Sequence, residues 1–152
     1  MTLRVPKANG VDVLRLWVSM VDFREDMRLS DELLKRVAEG YRKIRNTCRF
    51  LLSNLYDFDP AAGATVTEPL DLFALAVHAE FESKMRRAYE EHDYHALHTL
   101  LVQYCTVDLS AFYMDVLKDR LYCDAQNGAR RRSAQAAMFT IVGLALDYAK
   151  SL

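Results

Sequence analysis

Three arginines at spacings of three and four, Arg42, Arg45 and Arg49, are the residues whose type and arrangement best suit chemistry. On a helix those spacings place the side chains along one flank. A guanidinium there offers a planar, permanently charged fork of donors suited to phosphates and base faces. Lys35 extends the edge and Asn46 lies within it. A second cluster, Arg130-Arg131-Arg132, falls where a last helix begins, and three positive charges at a helix N-terminus oppose its dipole unless an anion or solvent relieves them. The plain alternative for both clusters is pairing with surface acids, as Glu39 and Lys43 at i, i+4 would do.

Other chemistry is sparse. His95 and His98, with Glu90, Glu91 and Asp93 before them, resemble half a metal site. A closed zinc site needs four ligands, however, and a solvated helix start explains the acids equally well. No metal site, catalytic residue or bound cofactor is therefore expected. The chain has no glycine-rich phosphate loop, nucleophile elbow, paired-histidine zinc motif or calcium loop. Gly40 and Gly143 lie inside expected helices, where glycine costs about 1 kcal/mol relative to alanine. Close helix approach and simple tolerance both account for them.

The element that must carry the arginine edge is a long helix from Ser30 to Tyr56. Leu34, Val37, Tyr41, Ile44, Cys48, Leu51 and Leu55 form its apolar seam, with Ser30 as N-cap and Asp31 and Glu32 in the first turn. Upstream, Val11 to Val18 reads as a short buried helix, and Asp22 to Leu29 as a charged connector. Pro60 and Gly63 interrupt helix after Asp57. A third helix starts at Pro69, with Thr67 as cap and Leu70, Phe73, Val77, Phe81, Met85 and Ala88 facing inward. Asp93 caps a fourth helix along Tyr94, Leu97, Leu101 and Tyr104. Its seam continues through Cys105, Leu109, Phe112 and Val116 only if the phase slips by one, which predicts a kink or short break near Val107-Asp108, with Asp108 or Ser110 capping the restart. After a turn at Asp124 to Gly128, the last helix uses Ala134, Ala137, Ile141, Leu144 and Tyr148. The expected fold is all-α: an antiparallel helical bundle of four long helices plus a short N-terminal helix.

With 152 residues, 20 Lys and Arg against 21 Asp and Glu, and net charge -1, the chain is a single domain whose basic patches are local. Cys48, Cys105 and Cys123 form no C-x-x-C pair, which fits a reducing cytoplasm. Residues 1–10 lack a signal-peptide run, and no window approaches the ~18 consecutive apolar residues of a membrane span, so no membrane partner is expected.

Arg28 to Lys35, then Tyr41-Arg42-Lys43-Ile44-Arg45-Asn46-Thr47, then Arg49 to Leu52 and Asn54 to Pro60, closely resemble bacterial-type isoleucyl-tRNA synthetase, a class I aminoacyl-tRNA synthetase. Val11 to Val18, Val107 to Tyr113, Lys118 to Tyr122 and Arg131 to Gln135 continue the likeness, which covers about residues 10 to 149. The run Val107-Asp108-Leu109-Ser110-Ala111-Phe112-Tyr113 resembles the isoleucyl branch rather than its valyl or leucyl relatives.

The resemblance implies an anticodon-binding helical domain at residues 30–152, truncated at its C-terminal end. Residues 10–29 would be a connector following the catalytic domain, and 1–9 a loose lead-in that departs from the family pattern, as a cloning boundary would. It further implies that the parent enzyme attaches isoleucine to tRNA using ATP with Mg, and carries a zinc module outside these residues. The family's His-Ile-Gly-His-like and Lys-Met-Ser-Lys-Ser motifs are absent here, so the isolated chain should be inactive. Its implied partners are the anticodon stem and loop of isoleucine tRNA and the catalytic domain of the same parent chain; the chain itself is expected to be a cytoplasmic monomer. The residues expected to face tRNA are Arg42, Arg45, Asn46, Arg49, Arg130, Arg131 and Arg132. The competing expectations are a helical protein-interaction or scaffold module, or the equivalent domain of a valyl- or leucyl-tRNA synthetase.

Overall fold

The structure, a computed structural model, describes residues 10–21 and 30–151, and side chains as far as residue 143. The expected lead-in, the connector Asp22 to Leu29, and the seam positions Leu144 and Tyr148 lie outside the described side chains. Among the described residues there are helices and turns and no strand. The helices are α1 (Gly10–Met20), α2 (Asp31–Ser53), α3 (Pro69–Glu90), α4 (Tyr94–Gln103), α5 (Met114–Cys123) and α6 (Ala129–Ser151). A π-helical segment, Tyr104–Tyr113, joins α4 to α5, and a single 3-10 turn, Pro60–Ala62, lies between α2 and α3.

The spine α2 begins as its sequence dictates: Ser30 is extended, and its hydroxyl accepts the Leu33 N–H at 3.2 Å. At roughly 1.5 Å per residue it runs about 34 Å. Leu34, Val37, Ile44, Cys48 and Leu51 are buried along it, joined by Ala38 and Thr47, while Tyr41 is only partly covered. Two apolar clusters divide the spine between them. Its first half packs with Val13, Leu16 and Trp17 of α1; its second half enters the main core with Phe81, Met85, Leu97, Leu101, Leu109, Leu117, Met138 and Ile141. Around the second half, α2 and α3 each pack against both α6 and the rod built from α4, the π segment and α5. That arrangement is the antiparallel four-helix bundle, with α1 as the short additional helix.

The inward face of α3 differs from expectation. Phe73 is exposed and Leu70 and Val77 are half-buried, whereas Asp71, Ala74 and His78 lie inside with Phe81, Met85 and Ala88. The inward face of the first half of the helix is shifted by one residue because Asp71 and His78 find partners in the core, while Phe81, Met85 and Ala88 keep their expected places. Asp71, fully buried, accepts from the Tyr113 hydroxyl at 3.0 Å, from Arg120 Nη1 at 3.3 Å and from the Ser133 hydroxyl at 2.7 Å. His78 Nδ1 shares a 2.8 Å hydrogen bond with the Tyr104 hydroxyl. A buried polar group is tolerated only on such terms. Thr67 does not cap α3 either: the backbone N–H groups of Thr67 and Glu68 donate to Ser133 Oγ of α6, at 3.0 and 3.2 Å.

The expected break near Val107-Asp108 is absent, since Tyr94–Cys123 is continuously helical. The seam slips within the π segment, where i→i+5 bonding, as from the Met114 N–H to Leu109 O, places more residues in each turn. Ten such residues accumulate a slip of about two positions rather than one. Phe112 and Val116 are therefore exposed, and Tyr113, Met114, Leu117 and Leu121 take the inward row. Asp108 is half-buried and caps nothing; the Ser110 hydroxyl instead donates to Cys105 O at 2.6 Å. The buried Thr47 hydroxyl meets this spot from α2, 3.0 Å from Ser110 Oγ. Tyr94–Cys123 also corrects the expectation about apolar windows. By length and composition it is apolar enough to cross a membrane, since it holds an 18-residue window of mean hydropathy 1.2, a test that the core helix of a bundle also passes. Thr106 and Asp108 interrupt any uninterrupted run but scarcely move an average, and the inner face of this stretch is occupied by the bundle core.

His95 and His98 form no metal site with their neighbours. His95 Nδ1 lies 2.9 Å from Met20 O at the end of α1, and His98 is buried against α2, where a Cβ on Gly40 would lie 3.7 Å from its Nε2. A Cβ on Gly40 would make only ordinary contact with His98 and Val102 of α4, and one on Gly143 would meet nothing, so neither position requires glycine for helix approach. Burial lowers the pKa of both His78 and His98 below the ordinary histidine value, helped at His98 by the charge of His95. A histidine held neutral in the fold takes up its proton only on unfolding, so stability is lost as pH falls through about 6.5. Thermal melts should give a lower midpoint near pH 5 than near pH 7, and equal midpoints would contradict the burial of these rings.

Candidate nucleic-acid interface

Arg42, Arg45, Asn46 and Arg49 are all exposed on α2, with Lys35 farther up the same helix. At 100° per residue, Lys35, Arg42, Arg45 and Arg49 fall within about 80° of one another, beside the buried face. Glu32 and Glu39 lie on the other side of the exposed surface. Glu32 pairs with Arg36 at 2.8 Å, and the anticipated Glu39–Lys43 pair does not form. Among the described residues, no hydrogen bond or ion pair engages Arg42, Arg45 or Arg49. The stripe therefore presents unneutralised charge over about 20 Å, the length of 14 residues of helix.

The second cluster separates into three different roles. Arg130 is exposed, with only a long 3.9 Å contact to Asp124. Arg131 is 4% exposed, and its guanidinium is fully engaged. It donates to both carboxylate oxygens of Asp57, at 2.7 and 3.1 Å, to Gln126 O at 2.8 Å and to Leu121 O at 3.3 Å. Arg132 donates to Asp57 O at 2.7 Å, to Gln135 Oε1 at 2.8 Å and to Asn127 Oδ1 at 2.8 Å. Arg131 and Arg132 are thus braces of the fold: Arg131 is closed off from solvent and so does not lie on the surface expected to face tRNA, while Arg132 stays partly exposed. The unfavourable charge at the start of α6 is relieved internally, by an acid 74 residues earlier in the chain.

Nothing local in the sequence signals this network, where Asp57 reads only as a loop residue. Gln135, buried, adds a 2.7 Å bond to Asp57 Oδ1 and a 2.9 Å bond to Asn54 O. The Arg131 hydrogen bond, aided by Gln135, holds the Asp57 carboxyl well below the usual carboxylate range against the opposing effect of desolvation. Arg131 is correspondingly raised, chiefly by Asp57 and to a lesser degree by the nearby Tyr56 hydroxyl. Because the folded pKa of Asp57 is depressed, its contribution to stability is complete above about pH 4 and is lost as pH falls further.

An apolar cleft of about 270 Å³ lies between α3 and the π segment, lined by Phe73, Val77, Tyr104, Val107, Asp108 and Phe112 among others. Phe73 and Phe112 meet edge to face at its mouth, with centroids 6.0 Å apart. Among the described residues no three His, Cys, Asp or Glu side chains cluster as metal ligands.

The two classes of arginine should respond differently to substitution. Asp57→Asn should destabilise the chain by about 3 kcal/mol in chemical denaturation, because it leaves Arg131 buried without its counter-charge. Arg45→Gln should fall within about 0.5 kcal/mol of wild type. Equal effects would contradict the division into braces and free surface charge.

Residues 71–147 match the family described as the anticodon-binding domain of tRNA ligase. The chain is 47% identical over 135 residues to an isoleucine–tRNA ligase of Nitratidesulfovibrio vulgaris, an alignment covering 88% of this chain and 14% of that protein. It is 45% identical over 143 residues to that of Carboxydothermus hydrogenoformans, covering 92% and 16%. With the enzyme of Brevibacillus brevis the identity is 47% over 133 residues, covering 86% and 14%. The chain thus spans about 15% of the length of the curated relatives it matches. Its helical bundle and its sequence together make it a member of the anticodon-binding domain family of tRNA ligases.

Proposed function

We propose that this chain is the module of an isoleucine–tRNA ligase that holds the anticodon stem and loop of isoleucine tRNA, and that it works as a monomer in the cytoplasm. The observation that carries the reading is the row Arg42, Arg45 and Arg49 on an exposed flank of α2, without a pairing partner among the described residues. Bundle interiors need no such row, and pairing within the fold does not account for it. Each guanidinium can hold a phosphate of the RNA backbone while its alkyl stem covers the margin of the apolar seam. Asn46 and Arg130 add an amide and a further exposed charge to the same role. Attachment of isoleucine to tRNA, with its ATP, Mg and zinc, belongs in this reading to the remainder of the parent ligase. No step of that reaction is assigned to the residues of this chain.

Phosphate contacts release counterions from RNA, so binding by this stripe should weaken steeply with salt. A folded Arg45→Glu/Arg49→Glu variant should bind the anticodon stem-loop at least tenfold more weakly at low salt. Its dependence on salt should also be shallower, by about 0.7 for each loop phosphate and about 0.9 for each stem phosphate that the variant no longer neutralises. Unchanged affinity and slope would exclude the stripe; a lowered melting temperature with proportionate weakening of binding would show that it braces the fold instead. The isolated chain should also show no isoleucine-dependent exchange of pyrophosphate into ATP. Exchange persisting after removal of full-length enzyme would overturn the assignment of that activity to other parts of the parent.

A further inference from the structure

Tyr56 and Tyr122 are 78% and 64% exposed, the two most exposed aromatic rings among the described residues. The other exposed phenylalanines find ring partners: Phe73 lies against Phe112, and Phe139 lies against Phe58. Neither tyrosine makes such a contact. Both stand at the end of the bundle where α2 stops, α5 stops and α6 begins. Arg131 ties their backbones together there, because it binds the side chain of Asp57, next to Tyr56, and the carbonyl of Leu121, next to Tyr122. Arg130 follows at the same end with its charge largely open to solvent. Arg49 lies in the last turns of α2, so the basic stripe leads towards this place.

Although the Tyr56 hydroxyl lies near Arg131, both rings are largely open to solvent, and such rings match the chemistry of an RNA loop. Unpaired bases stack on tyrosine faces without demanding a particular sequence, while neighbouring cations take the phosphates. We propose that Tyr56 and Tyr122 form a stacking platform for unpaired bases of an RNA hairpin loop, with Arg130 holding a phosphate beside them. This deepens the anticodon-domain reading and rests on it. Arg131 is then a positioning residue: it touches no RNA and holds the two ring-bearing segments in register.

The test uses the 152-residue chain and an anticodon stem-loop with 2-aminopurine in place of a loop purine, whose fluorescence reports stacking. Wild type should bind and change the probe signal, and Tyr56→Phe/Tyr122→Phe should behave alike because the ring is retained. Tyr56→Ala/Tyr122→Ala should bind roughly tenfold or more weakly and lose the signal change. Its melting temperature should match that of the phenylalanine double variant, which likewise removes the Tyr56 hydroxyl beside Arg131, and each single alanine variant should show part of the effect. Wild-type affinity and signal in the double alanine variant would overturn the platform while leaving the domain reading intact. Equal loss in the phenylalanine variant would overturn stacking in favour of the hydroxyls. Failure of the wild-type chain to bind the stem-loop would overturn both.

Discussion

The buried pair of Asp57 and Arg131 is the constraint on which the functional end of this bundle depends. It joins the turn after α2, the end of α5, the following loop and the first turns of α6 through one guanidinium. Such a pair adds little net stability over a well-packed apolar contact, because both ions give up water. Removing either partner is costly, however, and the geometry is therefore held in one arrangement. The adjoining residues of α6 repeat the principle: Arg132 binds the backbone of Asp57, Gln135 binds Asp57 and Asn54, and Ser133 receives the free N–H groups at the start of α3. The start of α6 is a polar hub around which the ends of α2, α3 and α5 are gathered.

That hub sorts the arginines of the chain. Arg131 and Arg120 face buried acids and complete the fold, Arg120 against the fully buried Asp71. Arg42, Arg45 and Arg49 have no such partners among the described residues and lie along one flank of the spine. Surface charge of this kind adds almost nothing to stability, so the row is free to serve the RNA contact proposed for it. The fold also makes the row straight: the stripe lies on an uninterrupted α-helix, whereas the register change is confined to the π segment on another side of the bundle.

Much of the architecture is legible in the sequence because it follows from local rules. Ser30 and Asp93 announce helix starts, and the spacing of Leu34 through Leu51 announces a buried face. What is illegible depends on partners far away in the chain. The face of α3 comes out turned the wrong way because Asp71 and His78 count as outward residues until Tyr113, Arg120, Ser133 and Tyr104 are seen around them. Arg131 and Arg132 look like surface charge for the same reason. The seam beyond Tyr104 does carry a signal, a phase that α-helical spacing cannot keep. Its resolution as a π segment instead of a break depends on Thr47 and Ser110 meeting around the Cys105 carbonyl. The stripe on α2 is readable because it is local, and the tyrosines at the bundle end are not, because only the contacts of Arg131 with Asp57 and Leu121 link their segments.

The central claim is that the chain holds two populations of arginine, one closed within the bundle and one open to RNA. Titrating the anticodon stem-loop into the chain while following the arginine Nε–H signals by nuclear magnetic resonance addresses both populations at once. The Arg42, Arg45 and Arg49 signals should move with saturation while those of Arg120 and Arg131 stay in place. Movement of Arg120 and Arg131 with the α2 signals unchanged would contradict the division.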